Sequence, residues 1–148
     1  MRIDKFTTKF QQALSDAQSL AIGGDQQFIE PQHLLLALLN QDDGGTTSLL
    51  GRAGANVAGL RKDLEQALTR LPKVEGHGGD VSIGRDLGNL LNLTDKEAQK
   101  RGDQFIASEM FLLALCEDKG ETGRLAKQHG LTRKALDAAI MAVRGGQG

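Results

Sequence analysis

Phe105-Ile106 and Phe111-Leu112-Leu113-Ala114-Leu115 reproduce, 77 residues later, the pattern of Phe28-Ile29 and Leu34-Leu35-Leu36-Ala37-Leu38. The stripe Leu87, Leu91, Thr94 and Ala98 stands at the same spacing from Phe10, Leu14, Ala17 and Ala21. Further on, His129-Gly130-Leu131 matches Ala53-Gly54-Ala55, and Leu136 and Ile140 match Leu60 and Leu64, at a spacing of 76. Agreement of spacing, residue type and punctuation together marks a tandem duplication. Each half reads as a long amphipathic helix, a buried helix, a short helix and a second amphipathic helix. The first half covers about 1–72 and the second about 82–144. Leu34 to Leu39 is apolar on every side of its helix, which requires burial all round. Neither half can cover such a helix alone. The pattern therefore predicts one all-α domain in which the halves pack about a pseudo-twofold axis and bury the two apolar helices together.

The punctuation supports this reading. Asp4 is placed to cap the first helix, Gly23-Gly24 to stop it, and Pro31 to open the second in its first turn. Asn56 is placed to cap the fourth helix and Pro72 to end it. Residues 73–80 read as the loop between the halves. Gly145-Gly146-Gln147-Gly148 reads as the start of a flexible linker.

Composition narrows the function. A formal net charge of −1 offers no basic surface for nucleic acid or an acidic membrane. Trp and Tyr are absent, so no such ring is available for base stacking. No apolar run approaches the roughly 18 residues of a membrane span. Cys116 is the single cysteine, which excludes an intramolecular disulfide and fits a reducing cytoplasm. It continues an apolar helix and reads as an inert buried thiol. His33, His77 and His129 share no metal-ligand spacing, and no glycine-rich segment has the form of a phosphate-binding loop. A free-standing small enzyme therefore has no support in any motif here, although a nucleophile triad need not be local in sequence.

Three stretches carry a family resemblance. They are Asp4-Lys5-Phe6-Thr7 leading into Gln12-Ala13-Leu14, Phe28-Ile29-Glu30-Pro31-Gln32-His33-Leu34-Leu35, and Leu71-Pro72-Lys73-Val74-Glu75-Gly76. Together they resemble the Clp repeat N-terminal domain, in the form found in bacterial ClpB-type disaggregases rather than in ClpA and ClpC relatives. The resemblance implies eight helices in two repeats. It implies a parent protein with two ATPase modules using ATP and Mg, a coiled-coil insertion, a hexameric ring, and cooperation with the DnaK chaperone system. The isolated domain would be monomeric, cytoplasmic and without a cofactor. It would bind exposed apolar segments of unfolded or aggregated polypeptides and present them to the pore. The alternative is a docking domain for a folded adaptor, as in the ClpA and ClpC relatives.

The resemblance also implies roles in substrate handling for Thr7, Asp103 and Glu109. Each has a plain structural reading beside it: Thr7 as a helix cap, Asp103 as a turn former after Gly102, and Glu109 as a first-turn carboxylate after a Ser108 cap. The helical wheel adds Leu93. With about 100° per residue, Leu90, Leu91, Thr94 and Ala98 fall within about 60° of Leu87, whereas Leu93 falls near 240°. It is the candidate for the apolar part of a groove, with Thr7, Asp103 and Glu109 as its polar rim. Met110, at the start of an apolar helix, is the second apolar candidate, and core filling is its other reading.

Overall fold

The computed structural model describes residues 3–75 and 79–145, the Ile3 side chain excepted. Eight α-helices follow a 3-10 turn at Ile3–Lys5: α1 Thr8–Gly23, α2 Pro31–Leu39, α3 Gly45–Arg52, α4 Val57–Thr69, α5 Arg85–Lys100, α6 Ser108–Cys116, α7 Glu121–Gln128 and α8 Arg133–Gly145. The only strands among the described residues are β1 Phe28–Ile29 and β2 Ser82–Ile83, two residues each and paired in parallel. The architecture is all-α, as the periodicity requires.

The twofold relation can be read from single hydrogen bonds. Thr7 N–H donates to the Ile106 carbonyl at 3.0 Å, and Gly84 N–H donates to the Ile29 carbonyl at 3.0 Å. Adding 77 to Thr7 gives Gly84, and subtracting 77 from Ile106 gives Ile29, so the two bonds are one contact made twice. The bridge Phe6–Ile106 and the pair Ile29–Ile83 are related in the same way. At the far end, Gly54 and Gly130, counterparts at 76 residues, bring their backbones together. A Cβ on Gly130 would lie 3.2 Å from the Gly54 carbonyl oxygen, and Gly130 has φ of +94°, which favours glycine.

The halves interlock. The third helix of each repeat packs on the fourth of the other: α3 on α8, and α7 on α4. Every residue of α2 is buried, and so is α6 from Met110 to Cys116. Burying a leucine such as Leu34, Leu35 or Leu113 contributes about 1.5–3 kcal/mol each. The expectation that α2 and α6 bury each other is corrected. Each packs chiefly on its own repeat, α2 on α1 and α4, and α6 on α5, α7 and α8. Short loops place the amphipathic neighbours first, and the repeats meet instead through rings such as Phe10 and Phe111, 6.1 Å apart.

Local signals differ in three places. The cap of α1 is Thr7, whose Oγ1 accepts from Phe10 N–H at 3.2 Å, and Asp4 lies in the preceding 3-10 turn. The cap position of α6 is Ala107, with Ser108 already helical. Helix α8 runs through Gly145, the first residue of the expected linker. Residues 146–148, and His77 with 76–78 of the expected loop, lie outside the described residues.

Candidate functional site

A cleft of about 550 Å³ opens where α1 and α3 of the first repeat meet α6 and α8 of the second. Leu49, Leu112 and Val143 give it apolar walls, and Thr7, Thr46, Ser48, Ser108 and Glu109 line it with polar groups. Thr7 reaches it because it caps α1. Its oxygen accepts from the backbone while the hydroxyl proton stays available. Glu109 reaches it from the first turn of α6, where a carboxylate also favours the helix dipole. Lys9 and Asp43, also at the cleft, form an ion pair.

Asp103 and Glu109 converge on one side chain that sequence reasoning passed over. Arg144 donates from Nη1 and Nη2 to the two Asp103 carboxylate oxygens at 3.1 and 2.9 Å. Its Nε and Nη2 donate to Glu109 Oε1 at 2.9 and 2.6 Å. The hydrogen bonds that Arg144 donates to Asp103, joined by those to Glu109, raise the Arg144 pKa against the opposing effect of burial. The signal for Arg144 was present. It follows Leu136 and Ile140 at intervals of four, so it lies on the same face of α8, half-buried at the end of the apolar stripe.

Leu93 is exposed, as the wheel requires, but it lies elsewhere. It lines a second cleft, of about 230 Å³, with Gln32 of α2, Asp86, Asn89 and Leu90 of α5, and residues 118–122 before and within α7. This is the pseudo-twofold counterpart of the first cleft. Asp86 stands for Lys9, Gln32 for Glu109 and Thr122 for Thr46. A single groove containing Leu93 with a rim of Thr7, Asp103 and Glu109 is therefore not formed. Met110 is not groove-lining either. It is 0% exposed, because the third position of α6 already points into the core.

His33 and Cys116 are buried in the core. His33 is fully buried, and burial lowers its pKa to about 4. Burial raises the Cys116 thiol to about 11, which keeps it protonated and a poor nucleophile at neutral pH. Among the described residues, no cluster of His, Cys, Asp or Glu is arranged to hold a metal ion. No described helix is long and apolar enough to cross a membrane.

The profile of the Clp repeat (R) N-terminal domain matches residues 5–129. The chain belongs to the Clp repeat N-terminal domain family. It is 54% identical over 147 residues to the chaperone protein ClpB of Vibrio cholerae, an alignment that covers 99% of this chain and 17% of that protein. Among solved structures it resembles the Hsp104 N-terminal domain from Candida albicans, with a TM-score of 0.81 and 21% identity over 95% of this chain and 92% of that one. It also resembles a ClpV N-domain in complex with a VipB peptide, with a TM-score of 0.74 and 19% identity over 94% and 86% of the two chains. These structural likenesses establish the Clp N-domain fold, and the sequence relatives place the chain with the N-terminal domains of ClpB chaperones. The chain spans about 17% of the length of the ClpB relative.

Proposed function

We propose that this Clp repeat domain binds exposed apolar segments of unfolded or aggregated polypeptides in the cleft between α1, α3, α6 and α8. The observation that carries the reading is the cleft itself: walls of Leu49, Leu112 and Val143 beside hydroxyls and a carboxylate, with a volume of about 550 Å³. Binding pockets are concave and mostly apolar, with a few orienting polar groups. The peptide complex of the ClpV N-domain supports the same use of the fold. Thr7 and Glu109 are the polar contacts. Asp103 supports the site from outside its lining, and Leu93 belongs to the counterpart cleft as a second apolar contact.

In the parent protein the domain hands its polypeptide to the pore of a cytoplasmic hexameric ring. Two ATPase modules with ATP and Mg drive that ring, which works with the DnaK system. A contact burying far less than about 1,000 Å² is transient, which suits a domain that must release what it holds. Six copies on one ring raise the avidity without any new contact.

The test is an NMR titration of the labelled domain with a permanently unfolded, apolar-rich polypeptide. Shifts at Thr7, Glu109, Leu112 and Val143 support the reading. Shifts confined to the Leu93 cleft would move the site to its counterpart. No shift at millimolar polypeptide, with tight capture of a folded protein, would assign the domain to adaptor docking.

A further inference from the structure

Helix α8 is described through Gly145. Its last residues are Arg144 and Gly145, and glycine is a poorer helix former than alanine. Met141 and Val143 face solvent, so the final turn has little apolar anchoring. Its anchor is the Arg144 guanidinium, which spends donors on Asp103 in the turn between α5 and α6, and on Glu109 in the first turn of α6. The carboxylate side chains of Asp103 and Glu109 are 18% and 26% exposed and the Arg144 side chain 36%, so the cluster is half-buried and its strength comes from the paired bonds rather than from exclusion of water. Val143, one residue before Arg144, lines the large cleft, whereas Asp103 does not.

We infer that Arg144 is a positioning residue of this cleft, and that Asp103, which lies outside the lining, influences polypeptide binding by holding Arg144 rather than by touching the polypeptide. The two carboxylates fix the guanidinium, the guanidinium fixes the last turn of α8, and that turn sets the Val143 wall. Glu109 Oε1 is taken up by two donors from Arg144, so this oxygen is directed at the clamp. The inference rests on the cleft being the polypeptide site. It adds that the wall of the site and the last described turn of α8 are held by the same side chain.

The experiment is a double-mutant cycle. Affinity for the unfolded polypeptide is measured for the unaltered domain, D103N, R144M and D103N/R144M, alongside amide exchange at Val143, Arg144 and Gly145. Each single change loosens the turn that carries Val143 and is expected to weaken binding roughly tenfold. The double variant is expected to bind no more weakly than R144M, because both changes break one unit. Exchange at the last turn of α8 rises in all three variants, with or without polypeptide. R144K keeps the charge but loses the planar fork, and falls between. Where R144M fails to fold, R144K carries the cycle. Losses that multiply to about a hundredfold would overturn the inference, by showing that Asp103 acts independently of Arg144. Unchanged exchange at α8 beside weakened binding would overturn it as well. If the unaltered domain shows no shifts at the cleft, the functional reading fails, and the exchange data still decide whether Arg144 holds the turn.

Discussion

His33 and Met110 occupy equivalent places in the two repeats, each the third residue of an apolar helix and each fully buried. One repeat fills the site with an ionisable ring and the other with a thioether. The ring is neutral and its tautomer is fixed: Glu30 N–H donates to Nδ1 at 2.9 Å, so Nε2 carries the proton and donates to Gln26 Oε1 at 3.2 Å. Burial lowers the His33 pKa from 6.5 to about 4. Below pH 6.5 the unfolded chain takes up a proton that the folded domain refuses. His33 therefore makes stability fall as pH drops from 6.5 to about 4, by about 3 kcal/mol in all. Glu30, whose pKa is raised by burial and then by Asp86, acts in the opposite sense from pH 4.5 upward, within the same range. The His33 effect is isolated by comparison with H33M. Urea midpoints measured from pH 7 to 4 should slope for the unaltered domain and flatten for H33M. Parallel profiles would assign the slope to other groups.

Leu93 and Met110 separate by stability alone. Leu93 is 40% exposed and Met110 0%. L93S should change unfolding free energy by no more than about 0.5 kcal/mol, as surface substitutions do. M110A should cost about 2–5 kcal/mol, as other large-to-small core changes do. Urea denaturation of the two variants checks both. A loss of polypeptide binding in M110A would then report a damaged core, whereas one in L93S would report contact in the counterpart cleft.

The legible part of this fold was what repeats. Leu34–Leu39 and Phe111–Leu115 announce buried helices through residue type alone, and their spacing announces the duplication. Arg144 was harder, because its meaning depends on Asp103 and Glu109, which lie 41 and 35 residues away in sequence. No local period records such a pairing. Leu93 was correctly placed on the outside of α5, because a wheel reports which face is exposed. The wheel does not report what lies across from that face, and here Gln32 and the start of α7 do. Similarly, Ser108 has the chemistry of a cap, but the extended residue before α6 is Ala107, which has no side-chain oxygen to cap with.

Thr7 allows fold and function to be separated. Its hydroxyl oxygen caps α1, and removing such a cap costs about 0.5–2 kcal/mol. T7A should therefore lower the unfolding free energy by about 1 kcal/mol, read in a urea titration. T7S keeps the oxygen and should stay close to the unaltered domain in stability. If T7S binds polypeptide normally and T7A weakly even where both are fully folded, the hydroxyl contacts the ligand. If T7A binds normally, Thr7 is a cap and nothing more.

Glycine supplies a pair of opposite outcomes. Gly51 lies inside α3, and a Cβ there would meet nothing within 4 Å. Alanine at that site restricts the unfolded chain and suits the helix, so G51A should stabilise by about 0.5–1 kcal/mol. Gly130 has φ of +94°, and its Cβ would lie 3.2 Å from the Gly54 carbonyl. G130A therefore meets both a disfavoured backbone and a close approach across the pseudo-twofold axis. It should destabilise by about 1–3 kcal/mol. The backbone there is shared by both repeats: Asn56 N–H donates to the His129 carbonyl at 2.7 Å, so a shift at Gly130 pulls on the entry to α4. Amide exchange at Asn56 should accordingly rise in G130A and stay unchanged in G51A. Equal effects of the two substitutions on stability would contradict the close packing of the repeats at this end.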